Sequence, residues 1–403
     1  MSTERTAPLT GVTVLEIGAF MAAPFATMQL ADLGAEVIKV EHSMGGDPVR
    51  RTGPFLGTES SPFVRLNRNK RSVALDLKSP DARRAFLRLT ERADVLVENL
   101  RPGAMRRLGL GYAELRELNP RLIYASASGW GQDGPLADLP GLDIMAQARS
   151  GLMSITGHPG GPPAKVGVPI CDLVCALYLA LAVTAALRAR DRSGAGQYID
   201  VSLFEAGVSF AVWEAGKYFA TGQVGGPMGS AHQSSAPYQA VHSSDGYVTV
   251  GAITARNWAA FCSALGLDRL LIDPRYADAS LRLENRAQLI ESIETVTGTM
   301  TTAEIVQLLN EAGVPCAPIA DYGQVFTDQH LTTRDYYWDA PHPTLGAVRQ
   351  LGSPMRLSET PVRRSGAGPV LGADTREVLL AAGCTEQEVD ELAASGAALE
   401  ADK

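Results

Sequence analysis

Short apolar runs alternate with segments of helical period over the first third of the chain. Residues 12–17 form an apolar run of strand length, and residues 24–33 space their apolar positions three and four apart behind an early proline. Gly34 stops that segment, and residues 37–40 begin a second apolar run. Strand, crossover helix and strand in this order predict a βαβ unit, whose two strands pair in parallel. The alternation continues with a run at 72–77, a helix at 80–92, a run at 95–97, a helix at 112–118 and a run at 122–126. The pattern therefore predicts an α/β fold, a Rossmann-like parallel sheet with helices on both faces.

Residues 173–187 are almost continuously apolar and lead into Arg188, Arg190 and Arg192. That stretch is shorter than a membrane span and reads as a buried helix. Glycines and a proline crowd residues 222–229, which marks a break. Beyond it, residues 238–242 and 247–250, joined by Ser243-Ser244-Asp245-Gly246, predict a hairpin, and helices follow at 256–265, 284–297 and 302–311. The organisation that follows is a large domain over 1–221, a smaller α+β domain over 222–318, and a segment over 319–403 that returns to the large domain, with a last helix near 375–382.

Composition narrows the function classes. The chain has 403 residues, 45% of them hydrophobic and 20% charged, with a net charge of −8. No basic run supports binding to nucleic acid. The first residues lack the apolar segment of a secretory signal, and Cys171, Cys175, Cys262, Cys316 and Cys384 show no CxxC spacing. Reduced thiols in a cytoplasm, and no metal site, are the expectation.

Candidate chemistry centres on Asp172, a lone carboxylate just before the long apolar stretch. At a helix N-terminus the free N–H groups and the macrodipole favour an ionised acid, which could act as a nucleophile. Plain N-capping by the same residue is the competing reading. The first βα turn, Gly18 to Pro24, lacks the three glycines of a dinucleotide fingerprint, so a nicotinamide site is disfavoured. Glu41, after the second run, reads as a solvated strand end. Lys70, Arg71, Arg101, Arg106 and Arg107 instead suggest an anionic, phosphorylated small molecule, bound near Asn99 to Gly103 at a strand end.

At these segments the chain resembles the class III CoA-transferases, which use formyl-CoA, carnitine-CoA or succinyl-CoA and are related to α-methylacyl-CoA racemases. The resemblance lies in residues 33–41, Asn69-Lys70-Arg71-Ser72, residues 97–103, residues 128–135, Gly313-Val314-Pro315 and Pro369-Val370-Leu371-Gly372. It implies that Asp172 is the nucleophile, forming an aspartyl anhydride and then an aspartyl-CoA thioester, with Asp143 and Gln147 beside it. It also implies CoA contacts at Phe20, Met21, Lys70, Arg71, Asn99, Leu100, Arg101 and Arg106, with His42 where some members place an arginine on the adenine. A loop over the intermediate would fall at Gly229 to Gln233, where His232 either touches substrate or is solvated. The implied assembly is two interlocked ring-shaped protomers. Coenzyme A is expected as substrate, with no permanently bound cofactor and no membrane partner.

Two other classes compete with transfer. Racemases of the family carry a histidine at the position of Leu142, and a hydrocarbon cannot accept a proton, so a racemase-like reaction is disfavoured. A non-catalytic acyl-CoA-binding protein is disfavoured by an intact Asp172. Residues 129–156 and 234–239 most resemble members that use succinyl-CoA and other dicarboxylates, so the expected partners are a dicarboxylyl-CoA and a small carboxylic acid.

Overall fold

The computed structural model describes residues 6–401. Six parallel strands carry the large unit: β1 (Thr13–Ile17), β2 (Glu36–Glu41), β3 (Lys70–Leu75), β4 (Val95–Glu98), β5 (Ile123–Ser128) and β6 (Tyr198–Ser202). A short final strand, Ala398–Leu399, pairs antiparallel with β3, and the order across the sheet from that strand is β3-β2-β1-β4-β5-β6. The order reverses between β1 and β4, the switch point outside which α/β sheets bind ligands.

Alternation along the strands directs side chains to two separate cores. Leu15, Ile17, Ile38, Val40, Val73 and Leu75 face one core, shared with the helix Pro80–Arg92 and the C-terminal helices. Val14, Val37, Val95 and Ile123 face the other, shared with helix α1 (Ala22–Asp32). On that second face two strand positions are charged instead of apolar: Glu16 and Lys39 are register partners and both are fully buried. Lys39 donates to Glu16 Oε1 at 2.6 Å and pairs with Asp47 at 3.0 Å, while Lys70 reaches Glu16 Oε2 at 2.8 Å. Burial alone would raise the Glu16 carboxyl, but Lys39 and Lys70 outweigh it and hold it down to about 2. Such a cluster is tolerated because nearly every charge in it has a partner.

The apolar stretch after residue 170 is longer than the sequence reading allowed. Helix Ile170–Ser193 has 24 residues, long and apolar enough by length and composition to cross a membrane. One of its faces nevertheless belongs to the second core, through Cys171, Cys175, Leu179, Val183 and Leu187 at four-residue spacing. Near its end Arg190 pairs with Asp94 at 2.8 Å. Its other side, including Leu177 and Leu181, is exposed, as is much of Val212–Thr221, a helix with no buried residue.

Two compact units divide the chain. One holds the described residues up to Met153, with Lys165–Gly222 and everything from His330 onward; the other holds Ser154–Ala164 and Gln223–Gln329. Residues 154–164 and 319–329 thus group with the second unit, where the sequence reading placed them elsewhere. The first of these is tied in by Gly229 N–H, which donates to the carbonyl of Gly157 at 2.8 Å. Within the second unit the hairpin Tyr238–Ser243 and Gly246–Gly251 is extended by Cys316–Pro318 and packs on helices Ala255–Ala264, Arg286–Thr297 and Thr302–Glu311.

Candidate active site

Asp172 is the third residue of helix Ile170–Ser193, so it does not cap that helix; the cap position is Pro169, which offers no side-chain acceptor. The cap comes from elsewhere. Asp143, the first residue of helix Asp143–Arg149, accepts the N–H of Cys171 at 2.9 Å and of Asp172 at 3.3 Å on its Oδ1. Its Oδ2 accepts from Gln147 Nε2 at 2.6 Å, one helical turn away. Gln147 is fully buried, and its Oε1 receives the N–H of Val166 at 2.9 Å. Asp143 and Gln147 therefore fasten the entering strap and the first helical turn together.

This arrangement leaves the Asp172 carboxylate with no hydrogen bond among the described residues. Burial, and then the like charge of Asp143, push its pKa up to about 7. The expected stabilisation of an ionised Asp172 by free N–H groups at the helix end is not seen: the amides of Cys171 and Asp172 serve Asp143. What remains is a poorly solvated carboxylate that is a strong nucleophile when ionised.

At the switch point, the turn after β1 and the turn after β4 are stitched together. Asn99 accepts from Ala19 N–H at 2.9 Å and donates to the Ala19 carbonyl at 2.9 Å. Gly18 must be glycine, since a Cβ there would lie 2.7 Å from that of Ala23. Phe20 holds a left-handed backbone, φ 62°, and its ring is exposed. Met21 precedes α1 without a side-chain capping bond. Beside these turns, Leu75, Leu77, Lys78, His42, Leu100 and Leu108 line a cavity of about 250 Å³.

Other predicted CoA contacts fall differently. Lys70 opens β3, in register with Val37, and its ammonium is spent on Glu16, the carbonyl of Pro24 and Asn67, each at 2.8 Å. Buried there, it cannot meet a phosphate. Arg71 is committed to Glu36, Asp374 and Glu377. Glu41 is buried, not solvated, and Arg50 grips both its oxygens at 2.7 Å. Arg101 and Arg106 are exposed, without ion pairs among the described residues, and with Arg107 line a separate cavity of about 370 Å³. Its floor includes Glu98, raised to about 7 by burial.

Gly229 and His232 belong to the second unit. Gly229 takes φ 64°, and the His232 ring stacks on Tyr238 with centroids 4.8 Å apart. No group of three metal-ligating side chains occurs among the described residues.

The sequence pattern of CoA-transferase family III matches residues 9–375. The chain belongs to that family. Succinyl-CoA:glutarate CoA-transferase of Mus musculus is 38% identical over 92% of this chain and 86% of its own length. Succinyl-CoA:mesaconate CoA-transferase of Haloarcula hispanica is 38% identical over 92% and 95%. Among solved structures, a CaiB/BaiF family protein from Brucella suis superposes with a TM-score of 0.85 at 33% identity, covering 94% of this chain and all of that one.

Leu77 and Lys78, which line the first of the two cavities, were not singled out in the sequence of the transferase. The signal was available: Lys78 follows the carboxyl end of a strand just as Arg101 does, whereas Lys70 is the first residue of its strand.

Proposed function

We propose that this transferase moves coenzyme A from a dicarboxylyl-CoA donor to a carboxylic acid acceptor, with Asp172 as the nucleophile. The observation that carries the reading is a carboxylate at a helix start, partly buried, without a hydrogen bond from the described residues and set beside a second acid. The donor class is supported by relatives named for succinyl-CoA with glutarate or mesaconate.

An Asp172 oxygen attacks the thioester carbon, and the C–S bond breaks to give a mixed anhydride and CoA thiolate. The thiolate attacks the aspartyl carbonyl, releasing the donor's acid and leaving an aspartyl-CoA thioester. The acceptor carboxylate attacks that thioester and expels the thiolate. Finally the thiolate attacks the acceptor's acyl carbon and frees Asp172. The amides of Cys171 and Asp172 are engaged by Asp143, so the donors for the oxyanions lie elsewhere. Asp143 acts by holding the first turn and raising the basicity of Asp172. The apolar cavity at Leu77, Lys78 and Leu100 suits the adenosine end of CoA, with the arginines of the neighbouring turn for its phosphates.

A second copy of the chain is the expected partner, in the interlocked form. It would cover the apolar residues that Val212–Thr221 and the outer side of the Asp172 helix expose, Phe219 at 84% and Leu181 at 63% among them. Light scattering across a dilution series reads this directly; a monomer at all concentrations would sink it.

The deciding experiment incubates the protein with succinyl-CoA and a pool of carboxylic acids and reads new CoA thioesters by mass spectrometry, beside Asp172→Ala. New thioesters that vanish in the variant support the reading. Thioesters that persist in the variant remove Asp172 from its role. Deuterium entering the α-carbon of an acyl-CoA in heavy water, without new thioesters, would replace transfer by proton exchange.

A further inference from the structure

We propose that Lys165 recognises the far carboxylate of a dicarboxylyl donor and so sets the donor class of the reaction at Asp172. The inference rests on the transfer reading above and adds the group that selects the acyl chain.

The charge balance around the nucleophile requires such a group. Asp143 is the charged side chain that bears on Asp172, and it is negative. A donor ending in a carboxylate brings a third negative charge to a partly buried place, which repels it unless a cation answers. Two cations stand close in the chain to the residues that hold Asp172. Arg149 lies two positions beyond Gln147 on the same helix, hence on a different side of it, and sits over the Trp130 ring at 5.9 Å. Lys165 is the other.

Lys165 precedes Val166, whose N–H is the anchor for Gln147 at 2.9 Å. The strap is further fixed by Ile170 N–H on the carbonyl of Val168 at 2.8 Å. Lys165 therefore belongs by its backbone to the network that runs through Gln147 and Asp143 to Asp172. Its side chain is exposed and makes no ion pair among the described residues. The ammonium instead folds back onto the carbonyl of Val166 at 3.0 Å, leaving two of its three donors for a ligand. Beside it there is room: a Cβ built on Gly167 would meet nothing within 4 Å. A compact point charge on a flexible stem suits the end of a chain whose length differs between succinyl and glutaryl groups.

The test compares the protein with Lys165→Met and Lys165→Arg, using succinyl-CoA and butyryl-CoA, four-carbon donors that differ in the second carboxylate. Transfer to a common acceptor is followed for both. Lys165→Met is expected to raise KM for succinyl-CoA about tenfold or more, leave kcat within about twofold, and change butyryl-CoA transfer by less than about twofold. Lys165→Arg should recover most of the loss. Equal losses on both donors, or no loss on succinyl-CoA in a variant that melts like the parent, would overturn the assignment. Absence of transfer from either donor by the unaltered protein is a different result: it removes the transferase reading, and this assignment with it.

Discussion

Two clusters of charge in the large unit are treated oppositely. Under the first turn, Glu16 is held by two ammonium groups, and Lys39 by two carboxylates, so the cluster is neutralised from within. At the start of the long helix, Asp143 and Asp172 are neighbours of the same sign, and no hydrogen bond from the described residues reaches the carboxylate of the second. The first arrangement spends its electrostatics on holding strands in register. The second keeps a carboxylate poorly satisfied, which is the state in which it can attack something else. The proposed reactive site thus lies where the compensation of a carboxylate is missing, not where charge is most deeply buried.

The largest expected effect of breaking this contrast is on the reactive side. Asp172→Asn should lower transfer by about a thousandfold or more, since it removes the proposed nucleophile. The same change should not destabilise the fold. Because the folded state holds Asp172 up at about 7, stability is fullest below the ordinary carboxylate range and is lost as pH rises through 7. Thermal melts at pH 8 should therefore show the Asn variant at least as stable as the parent; a large drop would mean that Asp172 is structural.

On the compensated side, Glu16→Gln leaves the buried Lys70 ammonium without a carboxylate and Lys39 with Asp47 alone, and should cost about 3–5 kcal/mol, read by urea denaturation. Glu16 lies well below its ordinary value of 4.5, so its contribution is complete above 4.5 and drains as pH falls toward 2. A parent protein whose stability stays flat over that range would contradict the pairing.

Asp143→Asn is a gentler probe. Removing the like charge should move the acid limb of the rate profile, expected near pH 7 in the parent, toward lower pH, because Asp172 then ionises more readily. A limb that stays in place would exclude Asp143 as the perturbing group. Smallest of all, Lys78→Ala should raise KM for CoA thioesters a few-fold, by about 1 kcal/mol, and less at high salt.

Much of this was legible in the sequence because period reveals strands and helices, and the βα alternation predicted the parallel sheet now seen. The residues at Pro80–Arg92, Tyr112–Leu118 and Thr302–Glu311 form helices over the ranges that patterning gave. Lys70 and Arg71 were misread because a basic residue beside a strand looks the same at either end; only the pairing of Lys70 with Val37 shows that it begins β3 and turns inward. The helix at Glu386–Ala394 passed unnoticed, since its apolar stripe is thin and its start lies in a tail rich in small residues. That Asp143 caps the helix of Asp172 could not be seen, since its contact with Cys171 joins residues 28 apart.

The double bond between Asn99 and Ala19 has a consequence for the energetics of binding. Two turns that would otherwise flex independently are ordered when the chain folds, so a ligand entering beside them forfeits little conformational entropy on arrival. Much of the ordering cost is thus borne by the fold before any thioester appears, which leaves more of the contact energy for holding a reactive molecule in one orientation.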